Sequence, residues 1–146
     1  MERRFFNPSQ PQTLQGAVFL LYANVVVALL FRSGGEGIYA AAVSALTPGP
    51  GTGGTAGFLG TLLAIVVVVG SGAAAYLIAN EKKIGWRIGV VVAAMPVLAI
   101  LIIVTIGRVS IIDVMNAFGL SLLFDVALLV LLLHDQTRSY EKIWFK

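Results

Sequence analysis

Residues 88–133 read IGVVVAAMPVLAILIIVTIGRVSIIDVMNAFGLSLLFDVALLVLLL, two long apolar runs parted by little more than Arg108-Val109-Ser110. A helix needs about 20 mostly apolar residues to cross a hydrocarbon layer about 30 Å thick. Both runs meet that length, and so short a link turns the second helix back alongside the first. Two spans, 88–107 and 111–133, therefore set the fold class as an all-α integral membrane protein.

On the N-terminal side, residues 57–79 (GFLGTLLAIVVVVGSGAAAYLIA) form another span, joined to 88–107 by NEKKIGWR, and 14–31 (LQGAVFLLYANVVVALLF) supplies the first. The expected architecture is a single transmembrane domain over residues 1–146, a four-helix bundle of consecutive antiparallel hairpins with a tail at 134–146. Composition agrees: 58% of the 146 residues are hydrophobic and 12% charged, with a mean hydropathy of +0.93. A soluble domain carries about a quarter charged residues. Cysteine is absent, which excludes a disulfide frame, a thiolate metal site and a Cys nucleophile.

The basic residues cluster between the spans. With the N-terminus inside, Arg3, Arg4, Lys82, Lys83, Arg87, Arg138, Lys142 and Lys146 all fall on the cytoplasmic side, leaving Arg32 and Arg108 outside. That asymmetry predicts cytoplasmic termini and a plasma or bacterial-type inner membrane. The same eight cations, with Trp86 and Trp144, are expected to anchor the chain at the headgroup level against anionic lipid. A cleavable signal peptide is the competing reading of the first span. Its apolar core is too long for that, and Arg32 and Glu36 stand where a cleavage region belongs. A net charge of +3 with no recognition motif gives no reason to expect a nucleic-acid partner.

Residues 32–56, RSGGEGIYAAAVSALTPGPGTGGTA, form a long Gly- and Pro-rich outer connection. Its apolar centre, IYAAAVSAL, is too short to span. The expectation is a flexible loop with a helical turn or two, the alternatives being an interfacial helix, a re-entrant segment or a lid over the helices. Ser110 and Asp113 fit a capping box at the start of the last span, and Ser9 with Gln12 fits one before the first. Asp113 also has Arg108 as a candidate ion-pair partner, and Asn116 continues its stripe toward an outward cleft or a neighbouring helix.

Charges inside a span are rare and are candidates for function. Asp125 is the clearest, about 12 Å from the end of its span at 1.5 Å per residue. Asn24, Ser71 and Pro96 lie about 12 to 15 Å deep on the same ruler. One polar or backbone-breaking residue per helix at a shared depth predicts a buried polar layer around Asp125. Pro96 frees the carbonyl of Val92, for which Asp125, Ser71, Tyr22 or water is a candidate donor. The expected form of Asp125 is a neutral acid bonded to Asn24 or a helix neighbour, and the bolder alternative is a proton-relay or cation site.

Small residues spaced by four, such as Gly60 with Ala64 and Gly89 with Ala93, suit close helix contact within the chain or between copies. No hydrolase elbow, zinc motif, phosphate loop or dinucleotide fingerprint is present. The lone His134 ends the last span and has no second imidazole or thiolate to share a metal. The expectation is thus a non-catalytic protein without cofactor or metal. It is read as an accessory, assembly or scaffold subunit working with another membrane protein or further copies of itself. The alternative is a proton- or cation-coupled carrier or channel component that uses Asp125.

Overall fold

The structure, a computed structural model, describes residues 5–31, 35–47, 49, 52–107 and 109–145. Among the described residues six helices follow in order: α1 (Gln12–Phe31), α2 (Gly35–Leu46), α3 (Gly53–Ala79), α4 (Lys83–Thr105), α5 (Ile111–Leu133) and α6 (Asp135–Trp144). Among the described residues there are no strands. Four helices, α1, α3, α4 and α5, are long and apolar enough to cross a membrane, which marks a helical membrane protein. The expected cations Arg3, Arg4, Arg32, Arg108 and Lys146 lie outside the described residues.

Helix α1 packs against α3 and α5, and α4 packs against the same two, so the long helices form a ring in which α1 faces α4 across a diagonal. Short links make α3–α4 and α4–α5 antiparallel. Gln10 donates to the Ile78 carbonyl at 2.7 Å, which places the start of α1 beside the end of α3. A Cβ at Gly16 would sit 3.4 Å from Leu131, which does the same for α1 and α5. Both described termini therefore lie at one end of the bundle, here called the proximal end.

Local chemistry sets the turns. Helix α3 stops with Asn80 as its C-cap, and Glu81 follows at φ 57°, in the left-handed region. The Glu81 amide donates to Ile78 and the Lys82 amide to Leu77, both at 2.9 Å, the paired closure that usually has glycine in the left-handed place. Ser110 caps α5, its Oγ accepting from the Ile112 amide at 3.2 Å, while the Asp113 side chain is exposed and closes no box onto the Ser110 amide. Ser9 does not cap α1. Its amide and hydroxyl both donate to Asn7 Oδ1, and the Leu14 and Gln15 amides go to the Pro11 carbonyl instead. His134 breaks α5 from α6 and caps the latter, Nδ1 accepting from the Gln136 amide at 3.3 Å.

The connection expected as a loop contains a three-turn helix. Ile38, Tyr39 and Ala42 of α2 are 3–5% exposed and pack with Val67, Val92 and Ile100 in a second core at the distal end. The small residues around them allow this, because α2 lies almost backbone-to-backbone on α3: a Cβ at Gly60 would fall 2.5 Å from the Ala40 nitrogen. Gly37 abuts Phe118, about 10 Å into α5, and Ala45 abuts Gly107 beyond the end of α4. Helix α2 thus starts below the distal end and rises to it, continuing the direction of α1 but displaced onto α3 and α4. At 12 residues, about 18 Å, it does not span.

Candidate functional site

Close packing of α1 and α5 near Gly16 gives way, deeper in the bundle, to a crevice of about 170 Å³. Leu20, Ala23, Asn24 and Val27 of α1 form one wall, and Ser121, Phe124, Asp125 and Leu128 of α5 form the other. Asn24 and Asp125 are the polar groups that point chemistry into it. Ser121 is occupied, its Oγ donating back to the Phe118 carbonyl at 3.0 Å. Val27 and Phe124 are 53% and 52% exposed, so the crevice opens sideways, toward the lipid tails of a membrane. Tyr39, buried at the foot of α2, lies within electrostatic range of the Asp125 carboxyl.

No hydrogen bond reaches the side chain of Asp125 or Asn24 from any described residue. The lone carboxylate and amide can bind a proton, a cation or a hydrogen-bond donor and acceptor, with apolar walls to take an aliphatic stem. Nothing here assembles a polydentate metal site: among the described residues no three Asp, Glu or His side chains converge.

The remaining members of the expected polar layer lie elsewhere. Ser71 is fully buried but its Oγ donates to Val67 in its own helix at 2.8 Å, and α3 stands diagonally across the ring from α5. The Tyr22 hydroxyl is buried without a hydrogen-bond partner. Pro96 is buried inside α4, and the carbonyl it frees at Val92 receives no bond from Asp125, Ser71 or Tyr22. Of the expected layer only Asn24 and Asp125 share a crevice; Ser71 and Pro96 stand on neighbouring helices of the ring, so a common depth does not by itself make side chains face one another. Asn116 is exposed, and a Cβ at Gly119 would touch only Met115 of the same helix, so that stripe faces outward.

A second polar assembly, at the proximal end, has no counterpart in the sequence reading. Glu81 is its hub: Asn7 Nδ2 and the Tyr140 hydroxyl both donate to Glu81 Oε1 at 3.1 Å. Burial, with that bond to Glu81 next, pushes the Tyr140 phenol above its ordinary value of 10.0. The Thr137 hydroxyl donates to the Leu131 carbonyl at 2.8 Å and, its one proton so used, accepts from the Thr13 hydroxyl at 3.0 Å. Lys83 Nζ lies 3.4 Å from the buried Glu141 carboxylate, a contact of charges without hydrogen-bond geometry. Trp86, expected at the headgroups, donates its indole N–H to the Leu132 carbonyl at 2.9 Å and packs on the proximal core. Lys82, Arg87, Arg138, Lys142 and Trp144 are exposed around this end. The one sequence signal for the assembly is the pile of polar side chains at 7–15, 80–83 and 134–141.

Comparison with protein-family models, with curated proteins and with solved structures gives no match.

Proposed function

We propose that this chain is a small non-catalytic membrane protein serving as an accessory, assembly or scaffold subunit of a membrane complex. One observation carries the reading: α5 is left bare. Within its span 11% of residues are buried, against 39% in α3 and in α4. Exposed apolar residues alone would suit lipid, but α5 also turns Asn116 and Ser121 outward and holds Asp125 without a bond. An aspartate in a span costs about 2.5–3.5 kcal/mol on insertion scales. A neighbouring helix with polar groups of its own relieves that cost. The same proposal takes the proximal end as cytoplasmic, in a plasma or bacterial-type inner membrane, with exposed Lys82, Arg87, Arg138 and Lys142 facing anionic headgroups.

Purification from native membranes in mild detergent tests this. The expected result is a particle larger than the 15.4 kDa chain, with a second protein at fixed stoichiometry. A solitary, monodisperse chain would overturn it.

A second reading, a proton- or cation-coupled carrier component, is favoured by the displacement of α2 from α1, which brings Tyr39 within electrostatic range of Asp125. Interrupted helices beside a polar midplane site are a recurring feature of ion-coupled carriers. Proton flux into vesicles that Asp125→Asn abolishes, with the fold intact, would support it; no flux from the parent chain would remove it.

A further inference from the structure

We propose that the α1–α5 crevice is the docking site for a transmembrane helix of a different protein, one carrying a lysine or arginine at mid-membrane depth whose charged head seats beside Asp125 and Asn24. The inference rests on the subunit reading and names the kind of partner.

Size is the first argument. A crevice of about 170 Å³ is below the range of about 300–1,000 Å³ typical of drug-sized ligand sites, and fits a single side chain. Its walls match a long basic side chain: Leu20, Val27 and Leu128 give apolar surface for an aliphatic stem, and Asn24 and Asp125 lie between them along the two helices. The Asp125 carboxylate accepts from an ammonium or guanidinium, and the Asn24 carbonyl oxygen accepts a second N–H. That second acceptor matters, because an ion pair in hydrocarbon is favourable only when its remaining hydrogen-bonding groups are also satisfied.

The second argument decides between a foreign helix and another copy. Every lysine and arginine of this chain lies at the end of a span or beyond it. A second copy has no cation to bring to this depth, and a two-fold contact through the crevice would set one Asp125 against another. The missing charge must come from a different sequence. The exposed residues flanking the mouth, Leu120 at 75% and Phe124 at 52%, extend the contact along a helix laid over α5.

The test uses the full-length protein in lipid vesicles and a labelled synthetic helix of about 21 apolar residues with one central lysine. Energy transfer between the two reports association. The expected result is that the lysine helix binds about tenfold more tightly than the same helix with leucine at the centre. Asp125→Asn should erase that preference. Ser121→Trp, which fills the mouth and leaves the carboxyl in place, should weaken binding of the lysine helix and keeps the test available should Asp125→Asn fail to fold. Equal binding of the lysine and leucine helices overturns the proposal, as does a preference that survives in a folded Asp125→Asn variant. So does self-association of the chain that either substitution abolishes, which would make a second copy the occupant. The two readings fail separately. A chain solitary in native membranes that still prefers the lysine helix loses only its subunit role, whereas a native complex without that preference loses only the crevice.

Discussion

The two polar regions of this bundle are built to opposite rules. At the proximal end Glu81, Asn7, Gln10, Thr13, Thr137, Tyr140 and Trp86 all take part in hydrogen bonds that tie distant parts of the chain together. In the α1–α5 crevice, Asp125 and Asn24 make none, although they sit where water is scarcest. A bonded polar group near a membrane surface adds about 0.5–1.5 kcal/mol to stability. An unbonded one within the span subtracts from it. The proximal end is therefore where polar side chains help hold the fold, and the crevice is where they stand unbonded at a cost in stability.

That contrast can be broken most severely at Trp86. Replacement by alanine removes an indole from the proximal core together with its bond to the Leu132 carbonyl, and should cost about 3 kcal/mol. Reversible unfolding in mixed detergent measures it. Next comes Glu81. Losing the carboxylate strips Asn7 and Tyr140 of their shared acceptor, so Glu81→Ala is expected to cost about 2 kcal/mol. Glu81→Gly should cost about 1 kcal/mol less, because glycine occupies the left-handed conformation at φ 57° without strain. If the two variants unfold alike, the backbone there is not strained.

The crevice should respond with the opposite sign. Asp125→Leu removes a lone carboxyl from an apolar cleft and should raise the stability of the isolated chain by about 1 kcal/mol, within the range seen when buried polar groups give way to apolar ones. A loss of stability in the same unfolding assay would mean that Asp125 supports the fold. The smallest effect is expected from pH. The folded Tyr140 phenol titrates above its ordinary value of 10.0, so the neutral form is favoured in the native state. The stability it contributes is complete below about pH 10 and declines as pH rises through the higher folded value. In Tyr140→Phe that decline should be shallower, as followed by thermal unfolding across alkaline buffers.

The spans were legible because length and hydropathy are properties of a segment alone. The last was expected at 111–133 and α5 occupies Ile111–Leu133, while α3 begins four residues before its expected start because Gly53 and Gly54 read as loop. Helix α2 was not legible as a packed element. Its nine-residue apolar centre is too short to register as a span, and the surface it needs is made by α3 and α4. For the candidate site, depth along each helix singled out Asp125 and Asn24, which the fold does bring to one crevice. It could not show that Ser71 would stand diagonally across from α5 or that Tyr39 of α2 would come within electrostatic range of Asp125. The proximal assembly escaped for a different reason: a glutamate or asparagine near a span end has the same sequence signature whether it meets water or another side chain.

The crossing of α2 over Gly60 also fixes an order of events during synthesis. Helix α2 precedes α3 and α4 in the chain, yet its buried residues Ile38, Tyr39 and Ala42 rest on Val67, Val92 and Ile100 of those later helices. A segment of 12 residues is too short to be inserted as a span on its own. Its buried face can be covered only after α3 and α4 have been made, so the distal core is completed by parts of the chain that come later than the helix it encloses.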